Sequence, residues 1–273
     1  MTQNRTALVT GANQGIGFAL VQELANRLGP DDLVLLSGRD PQRVAEAVSR
    51  VQGTARVEGR VLDVTDADAV AALAAELEEV DIVISNAIGP LVPDKTQAEQ
   101  ADVFIDVANL GAQSMLRAFA PILRPGGRFL VVASSLGTLD HLPQHLHPRF
   151  DNATLDQVED AVEEWRAAIH NGTAEEKGWP EWINLPSKVA QVAAVRAVAA
   201  ERRTQDLADG TLIASVCPGL VDTRASRPWF DDFSQAKSPA EAVKPIVDLV
   251  LADLDPARYG ELIRDGKVLP WRG

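Results

Sequence analysis

The sequence predicts an α/β protein built on a doubly wound parallel sheet, and three observations predict it. Short apolar runs rich in Val, Ile and Leu recur along the 273 residues without clean polar alternation, as expected of strands covered on both faces. Segments of helical period lie between consecutive runs, the rhythm of parallel strands joined by crossover helices. A glycine-spaced turn, "VTGANQGIG", joins the first run to the first helix, where such folds bring bare backbone close to a ligand.

Taken in order, the strands are expected at 6–10 (TALVT), 33–37 (LVLLS), 60–64 (RVLDV), 81–86 (DIVISN), 128–135 (RFLVVASS) and 212–218 (LIASVCP). Helices are expected at 15–28, 41–50, 66–79, 96–123, 187–203 and 238–253. The second of these opens on Asp40-Pro41, an N-cap followed by proline at the first helical position. The rhythm breaks once, over residues 136–186. There Leu155, Val158, Val162, Trp165 and Ile169 recur at helical spacing, so the segment has structure of its own or covers a site. With no internal repeat and no low-complexity linker, a single domain over residues 1–273 is expected. In it, 136–186 is expected to form a helical insertion before the helix that opens near residue 187.

Bulk properties remove several function classes. Hydrophobic content of 46% with 24% charged residues fits a globular chain, and no run approaches the roughly 18 apolar residues of a membrane span. A formal net charge of −13 argues against a nucleic-acid surface, which needs clustered Lys and Arg. The single cysteine, Cys217, excludes an internal disulfide framework. Together with a start that passes directly into the fold, it leads to the expectation of a reducing, cytoplasmic setting. The expected partner is a small molecule.

The residues with chemistry cluster at strand ends. Gly11, Gly15 and Gly17 allow a tight turn and let backbone N–H groups and a helix N-terminus approach a pyrophosphate; Asn13, Gln14 and Ile16 share that turn. The spacing is Gly-x-x-x-Gly-x-Gly rather than Gly-x-Gly-x-x-Gly. After the second strand, Arg39 offers a guanidinium fork to a 2′-phosphate, which favours NADP(H) over NAD; its competing reading is a solvated surface charge. Asp40 beside it is read chiefly as the helix cap. Asp63 and Val64 end the third strand and Asn86 the fourth, where ligands sit in open parallel sheets. For Asp63 a turn or cap role is equally open.

These stretches resemble the short-chain dehydrogenase/reductase superfamily, most of all its monomeric carbonyl-reductase branch, over nearly the whole chain. "TALVTGANQGIG" resembles the family's cofactor turn, and "DIVISNAIG" its Asn-Asn-Ala-Gly stretch, with Ser85 and Ile88 as departures. "ANLGAQSML" resembles the helix of the family's catalytic asparagine, here Asn109. "GGRFLVVASS" resembles the strand before the catalytic serine, here Ser135 with Ser134 beside it. "VCPGLVDT" matches the turn near the nicotinamide, giving Pro218, Gly219 and Thr223. The long insertion, the "GWP" before the active-site helix and the ending "GELIRDGKVLPW" narrow the resemblance to the carbonyl-reductase branch. The resemblance implies a Rossmann-type fold, NADP(H), and a monomer whose insertion roofs the substrate pocket and covers a face that other members use to oligomerise.

One position departs. The resemblance needs no gap from Gly178 to Lys188, so Asn184 falls where the family carries its catalytic tyrosine, four places before the lysine. In the family the tyrosine protonates the carbonyl oxygen, the lysine lowers its pKa and holds the nicotinamide ribose, and the serine hydrogen-bonds the carbonyl. An asparagine amide donates a hydrogen bond but releases no proton near neutral pH, and positioned general acids contribute about 10²–10⁴-fold. Three readings follow. Hydride goes to a substrate that needs no protein acid, such as a cyclic iminium, an activated enone or a quinone. Another group supplies the proton, with His141, His145, His147 and Glu181 as candidates, the histidines having a competing reading as an exposed loop. Or hydride transfer is lost, and the pocket serves a non-redox reaction or NADP(H) sensing. No metal site is expected. Trp182 and Trp229 are pocket candidates suited to flat or cationic ligands, with core packing equally open for Trp182. Residues 225–239 fall where the family has a mobile lid.

Overall fold

In a computed structural model, which describes residues 4–273, the apolar runs become the centre of one eight-stranded sheet. Its strands are β1 (Thr6–Val9), β2 (Leu33–Gly38), β3 (Arg56–Val61), β4 (Val80–Ser85), β5 (Leu123–Val132), β6 (Leu212–Cys217), β7 (Leu262–Arg264) and β8 (Lys267–Leu269). Their order across the sheet is β3-β2-β1-β4-β5-β6-β7-β8. Every neighbouring pair is parallel except β7 with the edge strand β8. The order reverses between β1 and β4, and that switch point opens a crevice at the carboxyl ends of the two strands.

The helices are α1 (Gly15–Arg27), α2 (Pro41–Arg50), α3 (Ala67–Leu77), α4 (Gln97–Ile105), α5 (Gly111–Phe119), α6 (Leu155–His170), α7 (Asn184–Ala208) and α8 (Pro239–Leu251). α1 packs against α8, whereas α3 packs on α5 and α5 on α7. Leu8, Leu20, Leu35, Ile84, Phe119 and Phe129 are fully buried between the layers, as the continuous apolar runs require.

Three differences from the sequence expectation have physical causes. The third strand lies at Arg56–Val61 instead of 60–64, because this outer strand alternates charged and apolar residues and has no fully buried position. The helix expected over 96–123 is interrupted by a π turn at Asp106–Leu110 between α4 and α5. The hairpin β7–β8, three residues a strand, is too short to register as an apolar run. Within the insertion the helical spacing is realised: Val158, Val162, Trp165 and Ile169 form the buried face of α6, which packs on α4 and α7. Arg166 donates to Asp106 at 2.5 Å and His170 pairs with Asp102 at 2.8 Å across that contact.

Candidate functional site

The crevice begins at the glycine turn. Gly11 has φ of +60°, and a Cβ there would lie 2.8 Å from the Ala87 Cα. A Cβ on Gly17 would meet the Gly11 carbonyl at 2.5 Å and Asn86 Nδ2 at 2.6 Å. Both positions therefore need glycine for space, and the first also for its backbone conformation. Asn86 locks the two sides together, its Nδ2 donating to the Thr10 carbonyl at 3.0 Å while Thr10 Oγ1 accepts from the Asn86 backbone at 2.9 Å. Gln14, at the N-cap of α1, makes no side-chain cap. The first-turn amides of α1 are thus left to an anion, with the helix dipole adding to them; Ile16 is half-buried in that turn.

An open cleft of about 480 Å³ adjoins the turn, lined by Asn13, Gln14, Arg43, Glu46, Ser49 and Arg50. Arg43 donates to Gln14 Oε1 at 2.9 Å and Arg50 to the Asn13 carbonyl at 3.3 Å. Arg39 is exposed at the end of β2. Asp40 caps α2 by accepting from the Arg43 backbone at 3.0 Å, which is the capping role read from its neighbour proline. Asp63 turns its Oδ1 back on Thr65 N and Oγ1 at 3.0 and 2.8 Å, so the turn role is realised and one oxygen remains open. Val64 is buried against Gly111. The sequence reading did not include Arg43, whose signal is a second guanidinium four residues after Arg39.

Beyond the crevice, β5 and β6 deliver a second cluster. Ser134 spends its hydroxyl on the Leu136 backbone at 3.3 Å, whereas Ser135, half-buried, has no side-chain bond of that kind and donates its backbone N–H to Cys217 Sγ at 3.1 Å. The turn after Ser135 rests on the first turns of α7: a Cβ on Gly137 would sit 2.8 Å from the Lys188 carbonyl. Lys188 is buried, with Nζ donating to Gln191 Oε1 at 2.7 Å. Burial pushes its pKa down to about 8, opposed only by the neighbouring Cys217. The π turn brings Asn109 inward, its Nδ2 donating to the Ser187 carbonyl at 2.9 Å; such turns often mark functional positions.

Asn184 opens α7, three residues earlier than expected, and stands four residues before Lys188. That spacing puts the two on one helix face. Its amide oxygen is buried without a partner among the described residues. Pro218 is buried and Gly219 has φ of +81°. They aim the following loop at the glycine turn, where the Thr223 methyl is 3.8 Å from a Cβ built on Gly15.

Trp182 and Trp229 are brought together, their rings 6.2 Å apart and tilted by 41°, and Gln97 holds the Glu181 carbonyl beside them. Trp179 has a different part: it is buried against Trp165 and Phe150, at 6.1 and 6.2 Å. The histidines make local bonds. His141 pairs with Thr138 Oγ1 at 3.0 Å, His145 with the Lys177 carbonyl at 2.9 Å and His147 with the Leu142 carbonyl at 2.9 Å. None bonds Ser135, Asn184 or Lys188. Among the described residues no group of His, Cys, Asp and Glu could hold a metal ion, and no helix is long and apolar enough to cross a membrane.

This arrangement can be compared with known proteins. A family model described as short chain dehydrogenase matches residues 5–145. "Carbonyl reductase [NADPH] 1" of Mus musculus is 30% identical over 285 residues, covering 97% of this chain and 98% of its own. The Rattus norvegicus protein of the same name is 31% identical, with the same shares covered. Among solved structures, salutaridine reductase from Papaver somniferum superposes with a TM-score of 0.79 at 21% identity, covering 95% of this chain and 99% of that one. NADPH-bound carbonyl reductase from chicken fatty liver gives 0.67 at 19%, with 99% and 100% covered. The structures establish the shared fold, and the family match with the sequence relatives establishes descent: the chain belongs to the short chain dehydrogenase family.

Proposed function

We propose that this chain is an NADP(H)-dependent reductase that delivers hydride to a small carbonyl, enone or iminium substrate, through an active site in which Asn184 occupies the tyrosine's place. The observation that carries this reading is the convergence of Ser135, Lys188 and Asn109 around the first turns of α7, with Asn184 on the face of Lys188. The cofactor's fit rests on the uncapped α1 and on two close-packed glycines. The names of the relatives, carbonyl reductase [NADPH], agree with it.

When bound, the dinucleotide supplies hydride; the chain's own residues bind, orient and handle protons. Gly11, Gly15, Gly17 and the α1 amides would hold the pyrophosphate. Arg39 and Arg43 would hold the 2′-phosphate, Asp63, Val64 and Asn86 would flank the adenosine side, and Lys188 the nicotinamide ribose. Pro218, Gly219 and Thr223 would bound the nicotinamide. The free hydroxyl of Ser135 is the donor toward a substrate oxygen, and the Asn184 amide can orient that oxygen but not protonate it. The Trp182–Trp229 pair offers aromatic faces to a flat or cationic substrate, with His141 a further pocket candidate from the insertion. A monomer is supported by α6 lying across α4, clasped through Asp102 and Asp106.

The test is NADPH oxidation by the natural protein and by Asn184→Tyr, side by side, on ketones, quinones, enones and cyclic iminium ions. Turnover by the natural protein on any class is the expected result. Silence from it, with ketone reduction appearing in the variant, would overturn the reading in favour of non-redox catalysis or NADP(H) sensing.

A further inference from the structure

Gln191 is a polar side chain only 3% exposed, set three residues beyond Lys188 among Val189, Ala190, Val192 and Ala193, all buried in α7. Both ends of its amide are engaged. Nε2 donates to the Ala108 carbonyl at 2.6 Å, and Oε1 accepts from Lys188 Nζ at 2.7 Å. The Ala108 carbonyl belongs to the π turn that also carries Asn109. Being an acceptor, it requires the donor end of the amide, so the acceptor end must face the ammonium. A buried polar group in an apolar helix is costly unless such bonds are made, and here the bonds made are to the site.

The surroundings of Lys188 explain what the amide does there. On its own helix the ammonium bonds Gln191, with Asn184 on the same face one turn earlier; the π turn reaches it through Gln191, and the turn over 135–137 packs its Gly137 on the Lys188 backbone. β6 contributes Cys217, the one titratable group among the described residues that bears on it. Among the described residues no carboxylate pairs with Lys188. A glutamate in place of Gln191 would fix the positive charge; the neutral amide aims the ammonium and leaves its protons transferable.

Resting on the reductase reading above, the geometry points to Lys188 as the group that hands a proton to the substrate oxygen in place of a tyrosine, with Gln191 as its positioning residue. The step balances. As hydride reaches the carbonyl carbon, the C=O π bond opens onto oxygen, an Nζ–H bond of Lys188 breaks and an O–H bond forms. The substrate gains two electrons, NADPH becomes NADP⁺, and the neutral amine regains a proton from water. A lysine held near 8 by burial remains mostly protonated at neutral pH and is acidic enough to give its proton up. For a cyclic iminium no proton is needed and the role falls away.

The experiment combines two readouts on the natural protein, Gln191→Glu and Gln191→Leu. One is the pH profile of kcat/KM for a ketone or enone that turns over. The other is an NMR titration of ¹³Cε-lysine-labelled protein without cofactor, with Lys188→Arg used to assign the Lys188 signal. The ketone rate is expected to fall as pH rises through the Lys188 titration. Gln191→Glu should move both midpoints up, and Gln191→Leu should move both down, by about one pH unit or more. Lys188→Arg should depress ketone reduction about 10²-fold or more beyond any loss in iminium reduction. A purely structural Gln191 would change rates without moving midpoints. If the ketone turns over but its profile stays put while the NMR midpoint moves, Lys188 is not the acid, and the reductase reading survives. If the NMR midpoint itself does not move, Gln191 does not position the lysine. If NADPH binds but nothing turns over, the reductase reading fails and takes the proton role with it.

Discussion

Replacing Lys188 with methionine should change how the stability of the cofactor-free protein responds to pH. The lysine is buried and its pKa lies near 8 in the fold, against 10.5 for a solvated lysine. Below about 8 both folded and unfolded chains carry the charge, and the fold bears the full cost of burying it. Above about 10.5 neither does, and the cost is gone. Between those values the unfolded chain binds more protons than the folded one, so stability rises with pH. The gap of 2.5 units, taken as 10.5 minus 8, corresponds to about 3 kcal/mol at roughly 1.4 kcal/mol per unit. From about pH 7 to about pH 9.5 the part recovered is about 2 kcal/mol. Tyr259 sets the upper limit of the window, because its burial against Asp206 holds its phenol well above the ordinary range. The assay is urea unfolding followed by circular dichroism at several pH values. Subtracting the Lys188→Met curve from the natural one cancels every other group, and the difference should grow by about 2 kcal/mol across that range. Parallel curves would refute the claim that Lys188 is buried as an unpaired charge.

If Arg39 and Arg43 read a 2′-phosphate, Arg39→Ala and Arg43→Ala should each weaken NADPH about ten- to a hundredfold, as expected for a lost charge-assisted bond, with NADH little changed; calorimetry that finds equal losses would contradict the assignment. Gly11→Ala forces a Cβ to within 2.8 Å of the Ala87 Cα at a φ of +60° and should cost about 1–3 kcal/mol, lowering the denaturation midpoint and abolishing NADPH binding together. Trp182→Ala breaks the pair with Trp229 and should raise KM for flat aromatic substrates about tenfold while leaving NADPH affinity unchanged; an unchanged KM would return Trp182 to a packing role.

The central fold was legible because its strands are buried on both faces and therefore read as unbroken apolar runs. β3 was misplaced for the opposite reason: Arg56, Glu58 and Arg60 point from a solvated outer strand, and strength of hydrophobicity is a poor guide there. The glycine turn was legible because Gly11 and Gly17 answer to steric need, which sequence spacing reveals directly. Ser135 was chosen over Ser134 from the resemblance alone, and the structure adds a physical reason, since the Ser134 hydroxyl is occupied by the Leu136 amide. Gln191 was passed over because one polar residue in an Ala- and Val-rich helix reads as a solvated face. Its signal was the three-residue spacing from Lys188, which places it on the buried side. The three histidines drew attention by number, yet their bonds are to nearby loop atoms, a distinction that composition does not carry.

The most direct test of the account is to follow the hydride itself. The natural protein is incubated with NADPH carrying deuterium at the transferable position of C4 and with the ketone, enone and iminium members of the panel, whose products keep the label on carbon, and the products are examined by mass spectrometry. The account predicts a product one mass unit heavier, with deuterium on the former carbonyl, iminium or β-enone carbon. Tight NADPH binding with no deuterium in any product would contradict it.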